Sequence, residues 1–211
     1  MIKVNKIQYA YPQKWSGKNR PMVFWNFSLT LEENKIYGLL GKNGTGKSTL
    51  LYLLAGLNAA QKGKIFIDDD DVIMSFALAT NAKYLLMDEP TDGLDIESKS
   101  LFRKVIAQNM TDDRTLLIST HQVHDVENII DHILILGKDD KHQTKLLLDK
   151  SIAELSDTYV FEHRDDDQMG NVIYSEPSLQ GTSIIAHRTP RGTETPVNIE
   201  LLYNAVNNGK L

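Results

Sequence analysis

The chain has 211 residues, so one full domain plus an appendage is the natural expectation, and a core can form without covalent staples. Hydrophobic residues make up 41% and charged residues 24%, ordinary globular usage that argues against a disordered chain. With 23 Lys and Arg against 28 Asp and Glu, the net charge of -5 disfavours a broad nucleic-acid-binding face, and the absence of cysteine excludes disulfides, thiolate metal sites and a cysteine nucleophile.

Ile2–Gln8 alternates apolar and polar residues and predicts a strand, as does Phe24–Leu31, with a polar loop over Pro12–Pro21 between them. Lys35–Leu40 is a short apolar run that predicts a buried strand, and Lys47–Ala55 predicts a helix that stops at Gly56. A strand over Lys64–Ile67 runs into an aspartate stretch at 68–71. Then come a short helix over Ile73–Thr80 and a buried strand over Tyr84–Met87. Ile96–Gln108 reads as helix, Thr115–Ser119 as strand, Gln122–Ile130 as helix and His132–Leu136 as strand. Strands alternating with helices imply an α/β fold: a mostly parallel sheet with helices on both faces, plus an N-terminal antiparallel β portion.

After Gly137 the pattern changes to short strands (Lys145–Leu148, Tyr159–Glu162, Asn171–Tyr174, Ser183–His187) around a helix opened by Ser151-x-x-Glu154, a capping-box pattern. A last helix follows Thr195-Pro196, with the proline near its first turn. The expected division is residues 1–137 as one domain and 138–211 as a small α+β extension. The aspartates at 68–71 and 165–167 read first as solvated loops, with metal binding the minor alternative. No apolar stretch approaches the roughly 20 residues of a spanning helix, and Met1–Lys6 alternates like a strand, without an apolar targeting segment. The expectation is a cytoplasmic chain that reaches a membrane only through a partner.

Two motifs carry chemistry. Gly41-Lys42-Asn43-Gly44-Thr45-Gly46-Lys47-Ser48 fits G-x-x-x-x-G-K-[ST] between a predicted strand and a predicted helix. Glycines let successive N–H groups curl toward phosphate oxygens, and the helix adds the positive end of its dipole. Lys47 supplies a cation for the β- and γ-phosphates, and the Ser48 hydroxyl can ligate Mg2+. The second motif is Tyr84-Leu85-Leu86-Met87-Asp88-Glu89, an apolar strand ending in two carboxylates. A buried strand beside the phosphate-loop strand would bring Asp88 to the metal and Glu89 to the water that attacks the γ-phosphate. Alone, such a run reads equally as a strand leaving for a loop.

Asp88-Glu89-Pro90-Thr91-Asp92-Gly93-Leu94-Asp95 resembles the Walker B segment and D-loop of ATP-binding cassette (ABC) ATPases. Ser119-Thr120-His121 resembles their switch histidine, and Gly38 to Leu51, the stretch around the glycine loop, closely resembles their Walker A segment. Tyr9-Ala10-Tyr11-Pro12 is similar to the A-loop, whose aromatic ring stacks on adenine, a role that falls to Tyr11. A tyrosine near a strand end is otherwise a packing residue and His121 otherwise a cap, so both roles rest on the resemblance. The C-terminal stretch Glu194–Leu202 more weakly resembles the extension of some bacterial exporter-type ABC ATPases.

The resemblance implies a P-loop NTPase sheet and ATP with Mg2+ as ligands. The nucleotide would be held by Tyr11, Gly41, Asn43, Gly44, Thr45, Gly46, Lys47, Ser48 and Thr49, and the metal by Ser48 and Asp88. Glu89, His121 and Lys47 would carry the chemistry. It further implies a homodimer or a related ATPase subunit as partner, an integral membrane permease, and no nucleic acid. The transported substrate is not encoded.

One departure stands out. Only 41 positions separate Lys47 from Asp88. In ABC ATPases that interval holds the Q-loop glutamine, a helical subdomain and an LSGGQ-type signature, and no such signature string occurs here. Gln61 precedes a strand instead of following one and is not given the Q-loop role. The intact remainder favours missing residues of some kind between about Asp68 and Ser75, by a natural deletion, an engineered deletion or a longer parent sequence given without its flexible part. The chain as written is therefore expected to bind ATP yet hydrolyse it poorly, because each γ-phosphate of a cassette dimer is clamped by the opposite signature. The alternative to a transport ATPase is thus a nucleotide-binding module or switch. A soluble ABC ATPase acting on nucleic acid would call for a basic face, a long coiled coil or a second cassette, and the sequence has none of these.

Overall fold

A computed structural model describes residues 1–11, 22–67, 70–71, 83–110, 114–164, 171–179, 181–189 and 193–211. The expected helix over Ile73–Thr80, the junction near Asp68–Ser75 and the polar loop Pro12–Pro21 lie outside these residues, apart from the backbone of 70–71.

The chain opens with β1 (Ile2–Ala10), β2 (Met22–Leu31) and β3 (Ile36–Leu40), followed by α1 (Lys47–Leu54), β4 (Lys62–Ile67) and the two-residue β5 (Asp70–Asp71). Then come β6 (Tyr84–Asp88), α2 (Ile96–Asn109), β7 (Thr115–Thr120), a single 3-10 turn (Val123–Asp125) and β8 (His132–Lys138). The remainder is β9 (Thr144–Ser151), α3 (Ile152–Thr158), β10 (Tyr159–Arg164), β11 (Val172–Ser178), β12 (Gly181–His187) and α4 (Ile199–Asn207).

Among the described residues, nine strands form one sheet in the order β5-β4-β1-β2-β9-β8-β3-β7-β6, and three form a second in the order β10-β12-β11. β3 pairs parallel with β7 and β8, and β6 with β7, whereas β8 pairs antiparallel with β9 and β1 with β2 and β4. The α/β fold and the antiparallel β portion are as expected; the sheet itself is mixed where a mostly parallel one was expected, and β9, read as part of the C-terminal extension, lies inside it between β2 and β8.

Alternation sorts the core. Tyr37, Leu39, Leu117, Leu134 and Leu136 face α1 together with the buried side chains of β1 and β2. Ile36, Leu40, Leu116, Ile118, Ile133 and Ile135 face the other way. There they join Ile106 of α2 and, from the C-terminal part, Leu155, Phe161, Ile185, Ile199 and Leu202. Both faces of β3, β7 and β8 are therefore covered, the environment in which near-continuous apolar strands are stable.

Three expectations are corrected. First, β6 does not lie beside β3, because β7 separates them. Every residue of β7 is buried, which suits an interior position, while Tyr84–Met87 of β6 are only half-buried, as befits the end of the described sheet order. Second, the helix expected over Gln122–Ile130 is reduced to the 3-10 turn. Gln122 accepts from Lys99 Nζ at 2.7 Å, and Asp125 is bonded by Thr91 and Lys99. These side-chain bonds hold the segment in turns in place of a helical ladder. Third, Pro196 stands outside the last helix, which is capped by Asn198 accepting from Leu201 N at 2.9 Å. The capping box at Ser151 and Glu154 forms as expected.

Candidate nucleotide site

Strand direction decides where the motifs meet. β1 runs parallel in sense to β3, β8, β7 and β6, while β2 and β9 run the opposite way. The C-terminal ends of the first five and the N-terminal ends of the last two therefore share one edge of the sheet. Along that edge the strand order places Tyr11 after β1, Val23 in β2, Thr144 in β9, Lys138 in β8, the glycine loop after β3, His121 after β7 and Glu89 after β6. A cleft of about 480 Å³ runs there, lined by Tyr11, Val23, Lys138, Glu89, Asp92, His121 and the loop residues Asn43, Gly44, Gly46, Lys47, Ser48 and Thr49. Ligands of open α/β sheets sit outside the carboxyl ends of the strands.

The loop is built by close contacts. Thr45 N and Thr45 Oγ1 both donate to Lys42 O, at 3.2 and 2.8 Å, closing the turn. Gly46 has φ 101°, and a Cβ there would meet Thr144 Oγ1 at 2.8 Å and Val23 Cγ1 at 3.2 Å, so glycine is required on both counts. A Cβ at Gly41 would meet Thr45 Oγ1 at 2.6 Å and Leu136 O at 2.8 Å. Gly41 and the buried Thr45 thus shape the loop from behind and do not line the cleft. No side chain caps the N-terminus of α1, so the first N–H groups of that helix are left for a ligand.

Lys47 is 6% exposed; its Nζ donates to Gly41 O at 2.8 Å and lies 3.7 Å from Glu89 Oε1. Glu89 has φ 47°, a left-handed conformation uncommon for a residue with a side chain. Its N–H donates to Ser119 O at 2.9 Å, which ties the bend to β7. Its Oε2 accepts from His121 N at 3.2 Å and lies 2.9 Å from His121 Nδ1. Asp88 accepts a hydrogen bond from the Ser119 hydroxyl and is not part of the cleft lining. Tyr11 Oη is 2.8 Å from Thr49 Oγ1, and the Tyr11 ring meets Tyr9 edge-on at 5.2 Å. Gln61 holds the backbone before Tyr11: Ala10 N donates to its Oε1 at 2.8 Å and its Nε2 donates to Ala10 O at 2.7 Å.

Several residues of this edge were not singled out from the sequence. Thr91, buried just beyond Glu89, donates to Asp125 Oδ2 at 2.6 Å, and Lys99 Nζ lies 2.8 Å from the same oxygen. Burial raises the Asp125 pKa, but the bonds from Lys99 and Thr91 outweigh it, so the carboxyl titrates below its ordinary range. Lys138 Nζ donates to Thr144 Oγ1 at 3.3 Å, and Thr144 Oγ1 donates to Thr45 O at 2.6 Å. Desolvation of its head lowers the Lys138 pKa, with Asp139 acting in the opposite direction. A signal for Lys138 was present in the sequence: it lies two residues past the predicted strand His132–Leu136, on the side where ligands of such sheets gather. Nothing local marked Thr144, which lies 99 residues from its partner.

A family model described as ABC transporter matches residues 24–75. A putative ABC transporter ATP-binding protein of Bacillus anthracis is 50% identical over 48 residues, covering 23% of this chain and 9% of that protein. An uncharacterized ABC transporter ATP-binding protein of Methanocaldococcus jannaschii is 25% identical over 197 residues, covering 63% of this chain and 74% of that protein. Over these stretches the chain is similar to ABC transporter ATP-binding proteins. The fold agrees: a dimeric ATP-binding cassette bound to ADP and Pi in a post-hydrolysis state superposes with a TM-score of 0.57 at 16% identity, covering 72% of this chain and 98% of that one. The chain spans only about a tenth of the length of the first curated relatives it matches. No described helix is long and apolar enough to cross a membrane.

Proposed function

We propose that the chain binds Mg-ATP along this edge and serves as the ATP-binding and ATP-hydrolysing subunit of an ABC transporter, coupled to transport through a separate membrane permease. The observation that carries the reading is the order of groups along the cleft. An aromatic ring stands at one end, a phosphate-binding loop in the middle, and a cation, a carboxylate and a histidine within mutual reach at the other end. Tyr11 offers its face to adenine, and residues 43–49 offer backbone N–H groups, Lys47 and Ser48 to the phosphates. A γ-phosphate offers Lys47 and His121 an anionic partner in place of Glu89. That carboxylate is then released to take a proton from the attacking water, while His121 orients the phosphate.

Mg2+ suits the donors available. Ser48 and Asp88 present hard oxygen atoms, and this ion keeps water and phosphate ligands instead of needing a protein cage. Among the described residues no group of three or more His, Asp or Glu forms such a cage. When bound, the ion would neutralise phosphate charge, with Ser48 and Asp88 holding it directly or through water.

The partners proposed are a second copy or a related ATPase subunit, and a permease that would keep this chain at the inner face of a membrane. Residues 1–137 carry the glycine loop, the acidic strand end, Tyr11 and His121, and 138–211 form the extension, whose β9 joins the same sheet. A second reading is a nucleotide-binding switch that hydrolyses inefficiently. It is favoured by the short interval between Lys47 and Asp88 and by the lack of a signature string. Losing one preorganised donor costs roughly 10²–10³ in rate, and here a whole clamp is missing. Titration with Mg-ATP beside a phosphate-release assay separates the two: binding with turnover supports the ATPase, binding alone supports the switch, and no binding rejects both.

A further inference from the structure

We propose that Lys138 is a nucleotide-contacting residue whose ammonium takes oxygens of the α-phosphate, and that Thr144 is the residue that positions it. The inference rests on the nucleotide reading above and assigns a site residue that neither the glycine loop nor the acidic strand end contains. Its ground is the order of strands. Lys138 ends β8, which lies between β9 and β3, so it flanks the glycine loop on the side of Val23 and Tyr11. His121 and Glu89 flank the loop on the other side, from β7 and β6. A nucleotide with its base at Tyr11 and its γ-phosphate at Glu89 passes Lys138 between these ends, where the ribose and α-phosphate lie.

The ammonium is held in place. Thr144 is buried, and its single O–H is spent on Thr45 O at 2.6 Å, so it meets Lys138 Nζ with a lone pair at 3.3 Å. The same hydroxyl oxygen stands 2.8 Å from the point where a Gly46 Cβ would project. One side chain thus holds both the loop backbone and the head of the lysine, and the aliphatic stem carries that head to the cleft wall. A cation in this position sees charge common to ATP and ADP, unlike Lys47, which stands beside Glu89 at the γ-phosphate end.

The test is calorimetric titration of the 211-residue chain and its variants with Mg-ATP and with Mg-ADP. Lys138→Met should weaken both nucleotides by the same factor, about fivefold to tenfold for a partly solvated charged contact. Lys138→Arg should stay within about twofold of the parent, because the charge is kept. Thr144→Val should show the loss seen in Lys138→Met, and Thr144→Ser should restore affinity, since only the hydroxyl is needed. Unchanged affinity in Lys138→Met, a loss confined to ATP, or equal losses in the Met and Arg variants would each overturn the assignment. If the parent chain binds neither nucleotide, the nucleotide reading itself fails. If the parent binds and Lys47→Ala does not, while Lys138→Met binds normally, only the present inference fails.

Discussion

Glu89 and His121 meet twice across the ends of β6 and β7: one carboxylate oxygen accepts the His121 backbone N–H at 3.2 Å and lies 2.9 Å from its ring Nδ1. The pairing depends on the strained backbone of Glu89 and on the bond from its N–H to Ser119 O. Both residues are therefore set by the β6–β7 register, and the general base proposed for hydrolysis is aimed by the strand that carries the histidine.

Glu89→Gln should keep Mg-ATP affinity within about twofold and remove most of whatever turnover the chain shows, because the amide retains size and hydrogen bonding but cannot accept the proton. Single-turnover hydrolysis with the variant is the check. Full activity there would move the base elsewhere.

Asp125 ties Thr91, just beyond Glu89, to Lys99 of α2. Asp125→Ala leaves the Thr91 hydroxyl and the Lys99 ammonium without their shared acceptor and should cost about 2–4 kcal/mol. The folded pKa of Asp125 is depressed, so its contribution is present above the ordinary aspartate range and is lost as pH falls through the folded value. Urea melts from pH 7 to pH 3 should show an acid-limb loss in the parent that is shallower in the variant.

Gly46→Ala should damage both the loop and its ligand. A φ of 101° is strained for any residue with a Cβ, and the added methyl meets Thr144 Oγ1 and Val23. The expectation is a stability loss of more than about 1 kcal/mol with at least a tenfold loss of nucleotide affinity. Thermal melts beside a titration measure both.

The extension offers a separate check. Ser151→Ala removes the acceptor for Glu154 N and should cost about 1 kcal/mol. The Glu154 carboxyl is lowered to about 2, first by the Ser151 N–H and then by Lys150 and the Ser151 hydroxyl. Its support for α3 should persist above about pH 4.5 and fade as pH drops toward about 2. A pH titration of helix content, with and without Glu154→Gln, reads this directly.

The strands of the central sheet were legible because both-face burial leaves continuous apolar runs, as in Lys35–Leu40 and Ile133–Leu136. Chain order was not enough to rank β6 and β7 about β3, since that ranking is set by which strand can be buried on both faces. The 122–130 segment misled because its apolar spacing is helical, while Gln122 and Asp125 spend their side chains on Lys99 and Thr91. The glycine loop and the acidic strand end announce themselves because phosphate chemistry demands fixed spacing. The β8–β9 contribution does not, because Thr144 reaches Thr45 through the fold alone.

The most direct test of the nucleotide assignment is an isothermal titration of Mg-ATP into the parent chain and into Lys47→Ala under one buffer and salt condition. Lys47 is the buried cation beside Glu89 in the cleft, and losing its charged contacts should weaken binding by about 10- to 100-fold, corresponding to about 1.5–3 kcal/mol. Saturable binding by the parent and that loss in the variant is the result expected. Equal affinity in both proteins would contradict the account.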